Sequence, residues 1–195
     1  MSAELLRRTL GASAETKRAA AEVLSEGFGR ACEALAARLR AQGCLFACGN
    51  GGSMADALHL VGEMVGRFAY DRPAIRSVAL GCNPASLTAI ANDYSYAEAL
   101  RREADALIEP GDALIAISTS GEAPNVVSVA RLAAERGAYV LGLTGKDGGT
   151  LLSVCHETLV VPSHSTPRIQ EVHIVVIHAL CEYLEATLCP QGGDS

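Results

Sequence analysis

Five short apolar runs recur along the chain, near residues 44–48, 77–80, 113–118, 139–144 and 158–161, and helical segments separate most of them. Short runs that are apolar throughout suit strands covered on both faces. Their alternation with helices favours a parallel sheet between helical layers. The sequence therefore predicts an α/β fold, a three-layer α/β/α sandwich. The separating helices are expected over 53–65, over 84–107 with a break around 92–95, and over 122–136.

Two longer helices frame this core. Residues 14–40 are rich in Ala, Glu, Leu and Arg, with Leu24, Phe28, Cys32, Leu35 and Leu39 at spacings of three and four. That pattern predicts an amphipathic helix, stopped at Gly43. Over 166–188, Ile169, Val172, Ile174, Val175, Val176, Ile177, Leu180 and Leu184 point around the whole circumference, so this helix is expected to be buried within an oligomer. Gln170, His173 and His178 interrupt it as polar groups that need partners. The tail from Cys189 to Ser195 is expected to fray. The chain reads as one domain, 1–195, with a helical segment to about residue 42, an α/β core over about 43–165 and the last helix.

Composition narrows the function. With 16 Lys plus Arg against 22 Asp plus Glu, the net charge of -6 sets up no general field for polyphosphate, and aromatic residues at 4% provide no base-stacking platform. Direct binding of nucleic acid is disfavoured. The seven cysteines form no CxxC pair and several lie in apolar runs, which reads as buried thiols in a reducing compartment. The first residues lack a signal-peptide core and no run of 18 apolar residues occurs, so a cytoplasmic protein away from membranes is expected.

The first apolar run leads into Cys48-Gly49-Asn50-Gly51-Gly52-Ser53 and then a helical pattern carrying His59 and Glu63. Glycines bring backbone N–H groups close to a ligand, and a helix N-terminus adds partial positive charge suited to phosphate. The turn lacks the third glycine of GxGxxG, and no GxxxxGK[ST] occurs, which argues against a dinucleotide or nucleoside triphosphate. His59 and Glu63, four residues apart, share one helix face and could bind a metal, act as acid and base, or form a plain surface pair. A second turn, Ser118-Thr119-Ser120-Gly121, follows the third run and opens a helix. One such hydroxyl alone could be an N-cap, but three together beside a glycine-rich turn point to anion binding. Both loops fall at C-terminal ends of strands, where open α/β sheets bind ligands. A third turn, Gly145-Lys146-Asp147-Gly148-Gly149, is assigned no chemistry. Gln170 and His178 extend the polar set, but eight helical residues span about 12 Å of axis. His173, about 140° from His178 around the helix, is expected to make a structural hydrogen bond or a subunit contact. His156 and His164 have no evident partner.

Taken in order, CGNGGS, DALHLVGE, AND, STSG, LTGKDGG and RIQEVHIVVIH resemble the phosphoheptose isomerases of the SIS (sugar isomerase) domain superfamily, over about residues 15–188. The resemblance implies a flavodoxin-like, five-stranded parallel sheet and a homotetramer with active sites between subunits. It also implies isomerisation of sedoheptulose 7-phosphate to a glycero-manno-heptose 7-phosphate, on the way to bacterial surface glycans such as lipopolysaccharide. By motif, Asn50, Gly51, Gly52, Ser53, Glu63, Asn92, Asp93 and Gln170 would contact the phosphorylated seven-carbon sugar, while Ser118, Thr119 and Ser120 would hold its phosphate. Zinc ligands fall on His59, Glu63, Gln170 and His178. Glu63 is the implied base, and His178 the acid or second base.

The chain departs from the family's usual pattern at Glu122-Ala123, which removes a hydroxyl and is expected to place a carboxylate near the phosphate, at Pro167, and at Gly62. It also resembles a non-enzymatic SIS protein that binds the bacterial replication initiator, in LTAIAND, PSH and the C-terminal end. That relative lacks residues matching Glu63 and His178, so the resemblance favours the isomerase.

Overall fold

The structure, a computed structural model, describes residues 2–191. Its elements run α1 (Ser2–Arg40), β1 (Leu45–Cys48), α2 (Gly52–Val65), β2 (Ser77–Ala79), α3 (Pro84–Asp93), α4 (Tyr96–Leu107), β3 (Ala113–Ile117), α5 (Pro124–Glu135), β4 (Tyr139–Gly145), α6 (Leu151–Val154), β5 (Glu157–Val161) and α7 (Thr166–Leu188). All strands pair in parallel, in the order β2-β1-β3-β4-β5. The expected α/β/α sandwich with a flavodoxin-like sheet is what the chain forms.

Strand burial follows position in the sheet. Every residue of β1, β3 and β4 is buried, whereas the edge strands β2 and β5 are partly exposed. Alternate side chains supply the two faces. Leu45, Ala47, Ile115, Ile117, Leu141 and Leu143 pack beneath α1, α2 and α7. Phe46, Cys48, Leu114, Ala116 and Val140 pack beneath α4, α5 and α6.

Three differences from the sequence reading have plain causes. Helix α1 begins at Ser2 rather than near residue 14, because its first turns contain good helix formers but bury almost nothing, leaving Leu5, Leu6 and Leu10 exposed. Apolar spacing reveals a helix only where a face is covered. Helix α6 is a single turn, too short to show a period. Helix α7 buries Ile169, Val172, Val176, Ile177, Leu180 and Leu184 within its own chain, leaving Val175 exposed and Ile174 half-buried. Much of its apolar circumference is thus covered without a partner. Of the tail expected to fray, residues 192–195 lie outside the described residues. Among the described residues, no helix is long and apolar enough to cross a membrane.

Candidate active site

The strand order reverses between β1 and β3, and in this topology the crevice at that switch point is where ligands bind. The loops after these two strands are the two turns singled out in the sequence. They are tied together by a reciprocal amide pair. Asn50 Nδ2 donates to Asn125 Oδ1 and Asn125 Nδ2 to Asn50 Oδ1, each at 2.8 Å. Asn125 lies in the first turn of α5 and is buried. Tyr96, at the start of α4, donates its hydroxyl to Asn50 Oδ1 at 2.8 Å. Sequence reading singled out neither Asn125 nor Tyr96. The only available signal was an asparagine in the first turn after the serine loop.

Ser118 is buried and Thr119 and Ser120 are half-buried. Helix α5 starts later, at Pro124, with Ala123 as N-cap and no side-chain cap. These hydroxyls therefore do not cap the helix, although Ser120 Oγ accepts from Glu122 N at 3.2 Å within the loop. The third turn, assigned no chemistry, buttresses this loop. Gly121 sits at φ 69, and a Cβ there would lie 1.9 Å from Gly148 O, so only glycine lets the two loops touch. Glu122, the carboxylate expected near the phosphate, accepts from Thr150 N at 2.6 Å and Thr150 Oγ1 at 2.8 Å, closing the contact between the loops.

The second half of the site lies between α2 and α7. His59 Nε2 stands 3.2 Å from Glu63 Oε1 and 3.2 Å from His178 Nε2, and the two imidazole centroids are 5.1 Å apart. The tertiary contact between helices therefore joins residues 119 positions apart to the pair expected on one helix face. Gln170, two turns earlier on α7, faces the glycine-rich loop instead. A Cβ on Gly52 would come within 2.5 Å of Gln170 Nε2. The axial separation expected from sequence divides the four residues into a cluster of three and a glutamine at the loop. Asn92 and Asp93 are exposed, and Asn92 donates to Asp93 Oδ1 at 2.9 Å. No hydrogen bond between them and the other site residues is found among the described residues.

A buried ion pair holds the two helices. Arg72 Nε meets Glu185 Oε1 at 3.0 Å, with side chains 2% and 1% exposed. Arg72 also donates to the carbonyls of Glu63 and Met64, both at 2.8 Å, while Glu185 accepts from the N–H groups of Phe68 and Ala69. The Phe68 ring in turn lies 5.9 Å from that of His178. Burial raises the Glu185 carboxyl, but hydrogen bonds from Phe68, Ala69 and Arg72 outweigh it and hold the group below its usual range. Asp56, one turn before His59, has an oxygen buried without a partner among the described residues. Burial pushes its carboxyl up, opposed by His59.

Two other histidines are structural. His173 Nε2 meets Thr144 O at 3.0 Å, the hydrogen bond expected of it, and burial lowers its pKa to about 4 against the opposing effect of that bond. His156, expected to lack a partner, accepts from Val140 N at 3.0 Å. The backbone pairing at the entry to β5 brings it there.

Two imidazoles and a carboxylate match a donor set used by catalytic zinc, which keeps a further position open. Two potential ligand atoms, Glu63 Oε1 and His178 Nε2, flank His59 Nε2, and a neutral imidazole nitrogen carries at most one proton. A cation would satisfy them together. No three His, Cys, Asp or Glu side chains among the described residues stand close enough to hold an ion as they are. His59 touches both others.

Residues 10–145 match the SIS domain family. The chain is 44% identical to the phosphoheptose isomerase of Shewanella pealeana over 96% of this chain and 97% of that protein. It superposes on the phosphoheptose isomerase structure from Neisseria gonorrhoeae with a TM-score of 0.90, at 37% identity, covering 95% of this chain and 100% of that one. The Francisella tularensis structure gives a TM-score of 0.90 at 29% identity, covering 94% and 98%. Coverage of nearly the full length at this identity, on the sheet order and paired loops described above, shows that the chain belongs to the phosphoheptose isomerase family of SIS-domain proteins and is an isomerase.

Proposed function

We propose that the protein converts sedoheptulose 7-phosphate to D-glycero-D-manno-heptose 7-phosphate in the cytoplasm, supplying heptose for bacterial surface glycans. The observation that carries this reading is the gathering of Glu63, His59 and His178 from α2 and α7 beside two ligand loops at the switch point. Ser118, Thr119, Ser120 and the first turn of α2 bind the phosphate. Asn50, Ser53, Gln170 and, from the α3 arm, Asn92 and Asp93 orient the sugar chain. Glu63 takes the proton from C1 of the ketose and returns it to C2. His178 gives a proton to the C2 oxygen and takes one from the C1 oxygen, so an enediol forms and collapses to the aldose with no net proton lost.

Zinc is the proposed cofactor, held by His59, Glu63 and His178, with Gln170 approaching from the loop side. When bound, it supplies a Lewis acid for the carbonyl and offsets enediolate charge. A homotetramer is proposed as well, supported by the apolar groove between α1 and α7, where Leu24, Phe28, Val172 and Val175 line an open face. Light scattering reads that directly, with a tetramer mass expected and a stable monomer at micromolar concentration against it.

An assay coupled to a heptose 7-phosphate kinase tests the reaction. Turnover is expected from zinc-loaded protein. Its absence from both metal-free and zinc-loaded protein would remove the reading.

A further inference from the structure

We propose that Tyr96 is a positioning residue, which acts through Asn50 and sets the one hydrogen bond that Asn50 can offer the substrate. The inference rests on the isomerase reading but concerns Tyr96, a residue with no role in it so far. An amide side chain has two acceptor sites on oxygen and two N–H donors. Asn50 Oδ1 accepts from the Tyr96 hydroxyl and from Asn125 Nδ2, both at 2.8 Å, which uses its acceptor capacity. One Nδ2 hydrogen goes to Asn125 Oδ1 at 2.8 Å. A single N–H remains. With both oxygen sites filled, Asn50 meets a sugar oxygen only as a donor, the polarity suited to an oxygen that gains negative charge in an enediolate.

The two partners differ in kind. Asn125 is 2% exposed and fixed in the first turn of α5, so it anchors Asn50 to the serine loop. Tyr96 is 54% exposed and belongs to the first turn of α4, beyond the exposed Asn92-Asp93 pair. Its hydroxyl is thus the tie between the glycine-rich loop and the arm carrying the proposed sugar contacts. An exposed ring contributes little to the core, so the bond can be removed while the fold persists.

The test is a double-mutant cycle between Tyr96→Phe and Asn50→Ala, with kcat and KM measured on sedoheptulose 7-phosphate and melting followed alongside. Loss of one orienting hydrogen bond lowers kcat roughly five- to tenfold in the Tyr96→Phe variant. KM is expected to stay within about twofold, because an interaction realised in the transition state is the one lost. In the Asn50→Ala background the same change should cost less than about twofold, since a residue acting through Asn50 has nothing left to act on. An equal loss in both backgrounds overturns the proposal, as does an unaffected Tyr96→Phe enzyme. If the parent shows no turnover, the isomerase reading fails first. A parent that turns over beside an unaffected variant fails this proposal alone.

Discussion

The α2–α7 junction and the α3–α4 arm approach the same crevice but are built in opposite ways. At the junction, Leu60 and Met64 of α2 and Ile177, Leu180 and Leu184 of α7 are buried, and Arg72 and Glu185 close the contact with an ion pair that is almost wholly inaccessible. Helix α3 has no buried residue, and Tyr96 ties the following helix to the glycine-rich loop through one hydroxyl. Proton transfer tolerates little error in position, so its proposed groups stand on the element fixed by packing. Groups that meet the sugar chain can stand on an arm free to adjust.

The widest separation between the regions should appear in turnover. Glu63→Gln keeps the shape of the side chain but removes the base, and it is expected to lower kcat by about 10²- to 10⁴-fold with phosphate binding largely retained. Single-turnover kinetics with a parallel binding titration reads both. A variant within a few-fold of the parent would make Glu63 structural and move the base to His178 or Asp93. In the same assays Ser120→Ala should mainly raise KM. Breaking the lock itself comes next. Glu185→Ala leaves the Arg72 charge buried, and chemical denaturation should show a loss of about 3–5 kcal/mol. Glu157→Ala breaks the pair with the exposed Arg30 guanidinium and should cost clearly less than the loss of Glu185. If the two losses were equal, the junction would not be the rigid region described here.

How much of this contrast was legible in the sequence depends on the range of the interaction. The five strands, the long helices and both ligand loops follow from local runs and turns, and their bounds agree with the structure to within a few residues except at the start of α1. Burial on both faces produces continuous apolar runs, and those are visible in one dimension. His59 and Glu63 were also local, one turn apart. The lock was not. Glu185 stands in an apolar helix as a charge without a visible partner, and Arg72 lies 113 residues away in a segment with no periodicity. Glu122 was legible only in part for a related reason. Chain position put its carboxylate near the serine loop, but its partner Thr150 comes from another turn. The Asn50–Asn125 pair spans 75 residues and depends on β1 and β3 being neighbours, which sheet order alone decides.

Acid should loosen the α7 side before the arm. His173 is buried between α7 and β4, with its pKa lowered from 6.5 to about 4 by burial. Because the folded state takes its proton later than the unfolded one, this histidine contributes stability in full above about pH 6.5 and loses it as pH falls toward 4. The loss amounts to at most about 3 kcal/mol. His173→Gln should flatten that part of the stability profile in denaturation series between pH 7 and pH 4. A profile unchanged by the substitution would place the acid sensitivity elsewhere.

The smallest effect is expected on the arm, and it sharpens the comparison most. Ile90 is a half-buried residue on α3, so Ile90→Ala should cost less than about 1 kcal/mol in a monomer, because little apolar area returns to water. Leu60→Ala, fully buried in α2, should cost about 2–5 kcal/mol. The proposed tetramer makes this pair of variants informative. If a neighbouring subunit covers α3, the Ile90→Ala loss should grow with protein concentration, since assembly couples to folding by mass action, while the Leu60→Ala loss should not. Denaturation at two concentrations a hundredfold apart reads the difference. A concentration-independent loss below about 1 kcal/mol would leave the arm uncovered and held to the site through the Tyr96 hydroxyl, whereas a loss that grows with concentration would make its looseness a property of the single chain.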